Sequence, residues 1–291
     1  MRRLGVTQGE AQKIVATKRL KVNGQPILHS GVKIQGHVEV LQFVPASRGI
    51  EPLFFAPDFA LFDKPSGTLV HPTTYRTPYS MLDEIRHHFG KEANAIHRID
   101  METSGLLLAS RNKAAESRLK TMLENRLVKK RYLAWVRGRL DHPFEVKAPL
   151  RQNNDFRTVK LKMFVHPEGK PAHTLFNPLR YDRRLNATLV EAVPLTGRQH
   201  QIRVHLFHVK HPILGDPIYG VPTEIAIRYL DKQLSEKVRR RFMGATRLLL
   251  HAQSLAFKDL GVAYEFESTT DFLEARRLIT PPEEREGAAF V

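Results

Sequence analysis

Apolar positions recur along the chain with two periods, and the switches between them outline its elements. Ala11, Ile14 and Val15 fall at helical spacing and predict a first helix. It is followed by the basic segment Lys18-Arg19-Leu20-Lys21-Val22 and an Asn23-Gly24 pair, a strong hairpin-turn signal. Val32, Ile34, Val38 and Val40 predict further short strands, and Pro45-Ala46-Ser47-Arg48-Gly49 predicts a linker. A larger pattern starts at Phe54: Phe59 to Phe62, the turn Lys64-Pro65-Ser66-Gly67 and Leu69 to Pro72 predict strand, turn and strand. Met81, Leu82, Ile85 and Phe89 predict a helix over 80–89, and Leu119, Met122 and Leu123 another over 114–124. The unbroken run Leu106-Leu107-Leu108-Ala109 predicts a strand buried on both faces. Strands are predicted over 131–136, 174–179, 187–193 and 248–257, a helix from Thr196 with Ile202, Leu206 and Val209 facing the core, and a charged helical insertion over 222–243. Helices and strands interleave without a regular βαβ period, which predicts an α+β fold.

Composition narrows the function classes. The chain has 291 residues, enough for one large domain and a small second one. With no cysteine there is no disulfide, thiol nucleophile, zinc ribbon or iron–sulfur cluster. Neither a long apolar span nor a charged-then-apolar leader is present, so a cytoplasmic protein without membrane attachment is expected. Lys and Arg number 46 against 30 Asp and Glu, a formal charge of +16, which points to a polyanionic partner, nucleic acid before anionic lipid.

The segment His97-Arg98-Ile99-Asp100-Met101-Glu102-Thr103-Ser104-Gly105 sets a carboxylate between a cation and a Thr-Ser-Gly turn at the head of the buried strand. On local sequence Asp100 reads equally as a turn cap accepting backbone N–H groups and as a positioned nucleophile. The block resembles the HRLD-x-x-TSGLLL motif of the RluA-type pseudouridine synthases, with Ile99 in place of Leu and every other specified position matched. The resemblance implies that Asp100 is the nucleophile of an isomerisation that breaks the N1–C1′ bond of a uridine and rejoins the uracil through C5. One carboxylate serves such a reaction, by attack at C1′, at C6 or through a glycal, whereas a glycosidase usually needs two. Glu102 falls on a free position of the motif and is expected at the surface.

A buried carboxylate stays ionised only beside a cation or hydrogen-bond donors. Leu195-Thr196-Gly197-Arg198-Gln199-His200-Gln201-Ile202-Arg203 resembles the family's TGR-x-HQIR motif, whose first arginine pairs with the aspartate, and this implies Arg198 as the partner, in the first turn of a helix. Arg203 is given no role here, and His200 and His205 read as packing residues as easily as functional ones. A metal site drawing on His97, His200 or His205 has no compelling ligand spacing, and neither metal nor cofactor is expected.

Lys130-Arg131-Tyr132-Leu133-Ala134-Trp135-Val136-Arg137-Gly138 resembles the K-x-Y-x-A-x-V-x-G strand, implying that Tyr132 stacks on the target base and is a candidate for moving a proton. Arg247 to Ala252 resembles the motif whose leucine walls the uracil pocket, here Leu250. Arg98 matches the arginine that fills the gap left by a flipped base, and His97 is counted with it among the substrate-binding residues. Gly169 to Thr174 and His211 to Gly220 also follow family elements and read as architecture, Asp216 included.

Residues 1–47 resemble an S4-type RNA-binding domain truncated at its start, basic through Arg2, Arg3, Lys13, Lys18, Arg19, Lys21 and Lys33 against Glu10 and Glu39. Residues 48–280 are then the catalytic domain, expected to be an α+β pseudouridine synthase fold on a curved, largely antiparallel mixed sheet, and 281–291 a mobile polar tail. The expected protein is a monomeric RNA pseudouridine synthase acting on structured RNA, ribosomal RNA preferred and tRNA open. A non-catalytic RNA chaperone or ribosome-assembly factor is the rival from another class. An N-ribosyl hydrolase lacks its second carboxylate.

Overall fold

The computed structural model describes residues 6–74, 77–153, 159 and 162–286. The chain divides into two compact units, Met1–Pro45 and Ala46–Val291, two residues before the boundary expected from the linker.

The first unit opens with α1 (Gln8–Ala16), whose start is a reciprocal capping box: Thr7 N–H donates to Glu10 at 2.8 Å and Glu10 N–H to the Thr7 hydroxyl at 3.3 Å. Three short strands follow, β1 (Leu20–Val22), β2 (Gln25–Pro26) and β3 (Val38–Val40), in the order β2-β1-β3. Asn23 and Gly24 take φ of 50° and 79° and close the β1–β2 hairpin, as that dipeptide predicts. Val32 and Ile34 do not form strands. Gly31 and Gly36 flank them at φ of 98° and 120° and interrupt any extended run. Arg2 and Arg3 lie outside the described residues.

The second unit contains β4 (Phe54–Phe55), β5 (Phe59–Lys64), α2 (Met81–Phe89), β6 (Asn94–Ala95), β7 (Ser104–Ser110), α3 (Lys113–Glu124), β8 (Lys129–Arg137) and β9 (Phe144–Lys147). There follow β10 (Leu150–Gln152), β11 (Met163–Val165), β12 (His173–Asp182), β13 (Ala187–Pro194), α4 (Gln201–His208), α5 (Thr223–Leu230), α6 (Glu236–Met243), β14 (Leu250–Asp259) and β15 (Val262–Glu267). A ten-stranded sheet runs β4-β5-β7-β14-β8-β13-β12-β9, with β6 on β7 and β15 on β14. Among the described residues only the short β7–β14 pairing is parallel, so the α+β, largely antiparallel expectation holds. Core clusters lie on both faces of β5 and β7: Ala60, Phe62, Leu107 and Ala109 pack toward α2, while Phe59, Leu61, Leu106 and Leu108 pack toward α3. That double burial is why the leucine run shows no alternation.

The sheet divides at β14, whose first residues pair with β7 and whose later ones pair with β15. At the fork Gly105, at φ 107°, faces Ala252, and a Cβ there would stand 2.3 Å from the Ala252 carbonyl oxygen. The glycine of the Thr-Ser-Gly turn is thus required by a backbone crossing.

Three sequence expectations are corrected here. Leu69 and Val70 are not a strand; their carbonyls accept the N–H groups of Met81 (2.8 Å) and Leu82 (3.0 Å) and satisfy the start of α2. The helix expected from Thr196 begins at Gln201, because the Thr196 hydroxyl (2.7 Å) and the Arg198 N–H (3.0 Å) both donate to the Gln201 side chain and hold 196–200 as a loop. Residues 281–286 of the polar tail are anchored: Glu286 N–H donates to Arg241 O at 2.8 Å, and Arg137 donates to Glu286 O at 2.9 Å. The rest of that tail lies outside the described residues.

Candidate active site

Lys64, at the end of β5, and Gly105, at the start of β7, are register partners, so the turn after β5 lies beside the Asp100 loop. The buried Lys64 ammonium donates to the carbonyls of Pro65 (2.9 Å), Thr68 (2.8 Å) and Met101 (2.9 Å). Burial brings its pKa down to about 7, yet three carbonyl acceptors need three N–H donors, so this network is built for the charged form. Gly67 N–H donates to Met101 O (2.9 Å) and the Ser66 hydroxyl to Glu102 O (2.7 Å), which stitches the two loops together.

Within that frame Asp100 is not a turn cap. Its carbonyl accepts the Thr103 N–H at 3.1 Å, while its carboxylate is left to other partners. Oδ2 accepts Arg203 Nη1 at 2.7 Å, and His200 Nε2 lies 3.9 Å away. Oδ1 has no hydrogen bond among the described residues. Burial pushes the Asp100 carboxyl up, but the charge of Arg203, with His200, the Arg203 hydrogen bond and Lys64, more than offsets it, and the pKa falls below the ordinary value.

Arg203 stands in the first turn of α4 and is buried. Its Nε and Nη2 grip Asp216 at 2.8 and 2.9 Å, leaving Nη1 for Asp100. Asp216 Oδ1 also accepts the N–H groups of Ile218 (2.8 Å) and Tyr219 (3.0 Å), which fix the loop. The Tyr219 hydroxyl accepts Met163 N–H at 2.9 Å and is free to donate to His200 Nδ1 at 3.0 Å, an arrangement that puts the His200 proton on Nε2, toward Asp100. Burial lowers the His200 pKa to about 4, so the ring is neutral at pH 7.

The ion pair expected from Arg198 is therefore made by Arg203. Because α4 starts after Arg198, that side chain lies on the loop, and its Nε donates to Pro171 O at 3.0 Å. Glu102 is likewise not a surface residue. Its carboxylate accepts the Tyr229 hydroxyl of α5 and Arg239 of α6, the latter at 3.3 Å, so the helical insertion is clasped to the loop that carries Asp100.

A cleft of about 1090 Å³ brings the sequence-predicted residues together: Asp100, Tyr132, Arg98, His97, Leu250 and Arg198 all line it, with Arg203 and His200. Tyr132 and Leu250 are diagonal neighbours on β8 and β14, where Leu250 pairs with Ala134 and Ala252 with Tyr132. Burial and the charge of Asp100 push the Tyr132 phenol up, so it stays protonated at neutral pH. Arg98 is exposed at the cleft wall. His97 Nε2 accepts Leu108 N–H at 3.1 Å, and burial lowers its pKa to about 3, so its proton sits on Nδ1, which is buried without a partner.

Residues 58–208 match the family model for RNA pseudouridylate synthase. The chain belongs to that family. It is an RNA-modifying isomerase, as the resemblance implied. An RNA pseudouridine synthase of Helicobacter pylori strain J99 is 40% identical over 260 residues, covering 89% of this chain and 86% of its own. The ribosomal large subunit pseudouridine synthase C of Yersinia pestis is 37% identical over 213 residues, 71% of this chain and 61% of its own. Synthase D of Nitrosomonas europaea is 36% identical over 173 residues, 58% of this chain and 49% of its own. Human RNA Pseudouridylate Synthase Domain Containing 1 shares the fold with a TM-score of 0.63 at 23% identity, over 85% of this chain and 93% of that one.

Proposed function

We propose that this synthase isomerises uridines of ribosomal RNA, with Asp100 as the nucleophile. The observation that carries the assignment is the state of one carboxylate: Oδ2 is held by Arg203 and Oδ1 is unengaged among the described residues, at a cleft large enough for a flipped nucleotide. Arg203 keeps Asp100 ionised and aimed, Asp216 holds Arg203, Tyr132 offers its ring to the base beside Leu250, and Arg98 occupies the stack the uridine leaves. Neutral His200 directs an N–H toward the same carboxylate. The protonated Tyr132 phenol can donate a proton and does not act as a base at neutral pH.

Ribosomal RNA is favoured over tRNA because the named relatives from Yersinia and Nitrosomonas are large-subunit synthases. The first unit is read as an S4-like RNA-binding domain, basic over its own length, giving the RNA a second point of attachment. The enzyme is read as cytoplasmic, and as a monomer because Asp100, Arg203 and Tyr132 all come from one unit of one chain.

Incubating the protein with unmodified large-subunit ribosomal RNA and with tRNA, then mapping pseudouridine, tests the reading. New sites are expected in ribosomal RNA, and Asp100→Ala should lower their formation by on the order of 10⁴-fold or more while RNA binding persists. Equal activity in wild type and variant overturns the nucleophile. Sites in tRNA alone overturn the substrate, and none in either RNA favours the chaperone reading.

A further inference from the structure

Lys130 precedes Tyr132 by two residues on β8, so both side chains leave the same face of the sheet, about 7 Å apart along the strand. It lines the cleft along with His97 and the 196–198 loop, and a Cβ on Gly197 would stand 4.0 Å from its Nζ. The side chain is half-buried, and burial lowers its pKa with no carboxylate acting to raise it. Among the described residues it makes no side-chain hydrogen bond or ion pair.

Three other cations of the cleft already have protein partners. Arg203 holds two carboxylates, Lys120 pairs with Glu116 at 2.7 Å, and Arg198 donates to Pro171 O. His97 lines the same cleft, near enough for the Lys130 charge to lower its pKa, and its buried Nδ1–H has no acceptor among the described residues. This part of the cleft thus holds a positive charge and an unused donor, and among the described residues no carboxylate pairs with either. Taking an ammonium out of water is unfavourable unless an opposite charge accompanies it, so the chemistry selects a ligand with a full negative charge over a neutral carbonyl.

We propose that Lys130 and His97 form a phosphate subsite that holds a phosphodiester flanking the uridine whose base lies against Tyr132. The proposal rests on the reading that the cleft accepts a uridine of an RNA strand. The base plane goes to Tyr132 and the reacting carbon to Asp100. The charged backbone group of the same nucleotide then falls a short distance along β8, where Lys130 stands.

The test uses the intact protein with uridine and its 3′- and 5′-monophosphates, binding being followed by calorimetry and by the NMR signal of the Lys130 Cε methylene. One monophosphate is expected to bind at least about tenfold more tightly than uridine and to move that signal, the preferred isomer identifying which flanking phosphate is held. Lys130→Met, which keeps the aliphatic stem, should bind monophosphate and uridine alike, and Lys130→Arg should restore most of the difference. Wild type that does not discriminate the monophosphates from uridine overturns the subsite, as does a Met variant that still does. No turnover occurs in this titration, so its failure leaves the isomerase assignment standing, and failure to modify ribosomal RNA leaves the subsite standing.

Discussion

Arg203 decides the state of two carboxylates at once. Removing it as Arg203→Met leaves Asp100 and Asp216 facing each other's charge in a buried site, at a cost of about 3–5 kcal/mol, measurable by urea denaturation at pH 7. Arg203→Lys keeps the charge but cannot reproduce a guanidinium that grips Asp216 with two nitrogens and Asp100 with a third. It should fold and lose roughly 100-fold in turnover through misplacement of the carboxylate. Arg203→Met, which also removes the charge, should change the pH profile. In the wild type the Asp100 pKa lies below its ordinary value, so its ionised form persists down to that low pKa and its contribution to stability is lost only as pH falls through it. With the arginine gone burial acts with less opposition, and the acidic limb of activity should move to higher pH; a limb that stays in place removes Arg203 from the ionisation of Asp100. The carboxylate, the tyrosine and the pocket leucine were legible as residue types in motifs. The choice between Arg198 and Arg203 was not, because both lie in one segment and the selection depends on where α4 begins. That start is set by the side chain of Gln201 closing back on Thr196 and Arg198, a contact with no periodicity to announce it.

Among the elements, the insertion of α5 and α6 is tied to the Asp100 loop through Glu102. Two donors from different helices, Tyr229 and Arg239, converge on one carboxylate two residues from Asp100, and Met101, Tyr229 and Leu230 help to line the cleft. Glu102→Ala should destabilise the protein by about 1–3 kcal/mol by leaving both donors without their acceptor. Amide exchange over 223–243 should quicken while that of β7 and β8 stays at wild-type rates; unchanged exchange in the insertion removes the clasp. Helices and long strands could be read from the sequence because their burial repeats at 3.6 or 2 residues, and the leucine run of β7 because it repeats at neither. Leu69 and Val70 look like a strand from their side chains, but their carbonyls are spent on the first turn of α2. Val32 and Ile34 show that β-branched residues between glycines of positive φ do not make a strand. Glu102 was misplaced for a related reason, since its partners come from more than 120 residues downstream.

At the scale of the whole molecule, burial of neutral histidines sets a pH dependence that carboxylates usually supply. His205 and His251 are fully buried with pKa values brought down to about 4, burial being the first cause in each. His205 has both nitrogens committed, Nε2 donating to Ala148 O at 3.1 Å and Nδ1 accepting the Thr174 hydroxyl at 2.9 Å, so a second proton has no acceptor. His251 accepts the Ser104 hydroxyl at 2.9 Å and stacks on Phe272. Unfolded, each would titrate near its ordinary value of 6.5. Between that value and about 4 the unfolded chain therefore binds more protons, so the stability is complete above pH 6.5 and is lost as pH falls toward the folded value. Each site contributes a slope approaching about 1.4 kcal/mol per pH unit, and the two together roughly twice that. The carboxylates do not mask this window: Glu116, held down to about 2 by Lys113, Lys120 and Asn94 against the pull of burial, weakens the fold only below the ordinary glutamate value. Urea midpoints should thus fall steeply from pH 6.5 to 4.5 and stay flat from 7 to 8. His205→Gln, whose amide can donate to Ala148 and accept from Thr174, should remove close to one proton from that slope. A Gln variant with the wild-type slope would show that His205 does not carry its share and that the acid sensitivity of the fold lies elsewhere.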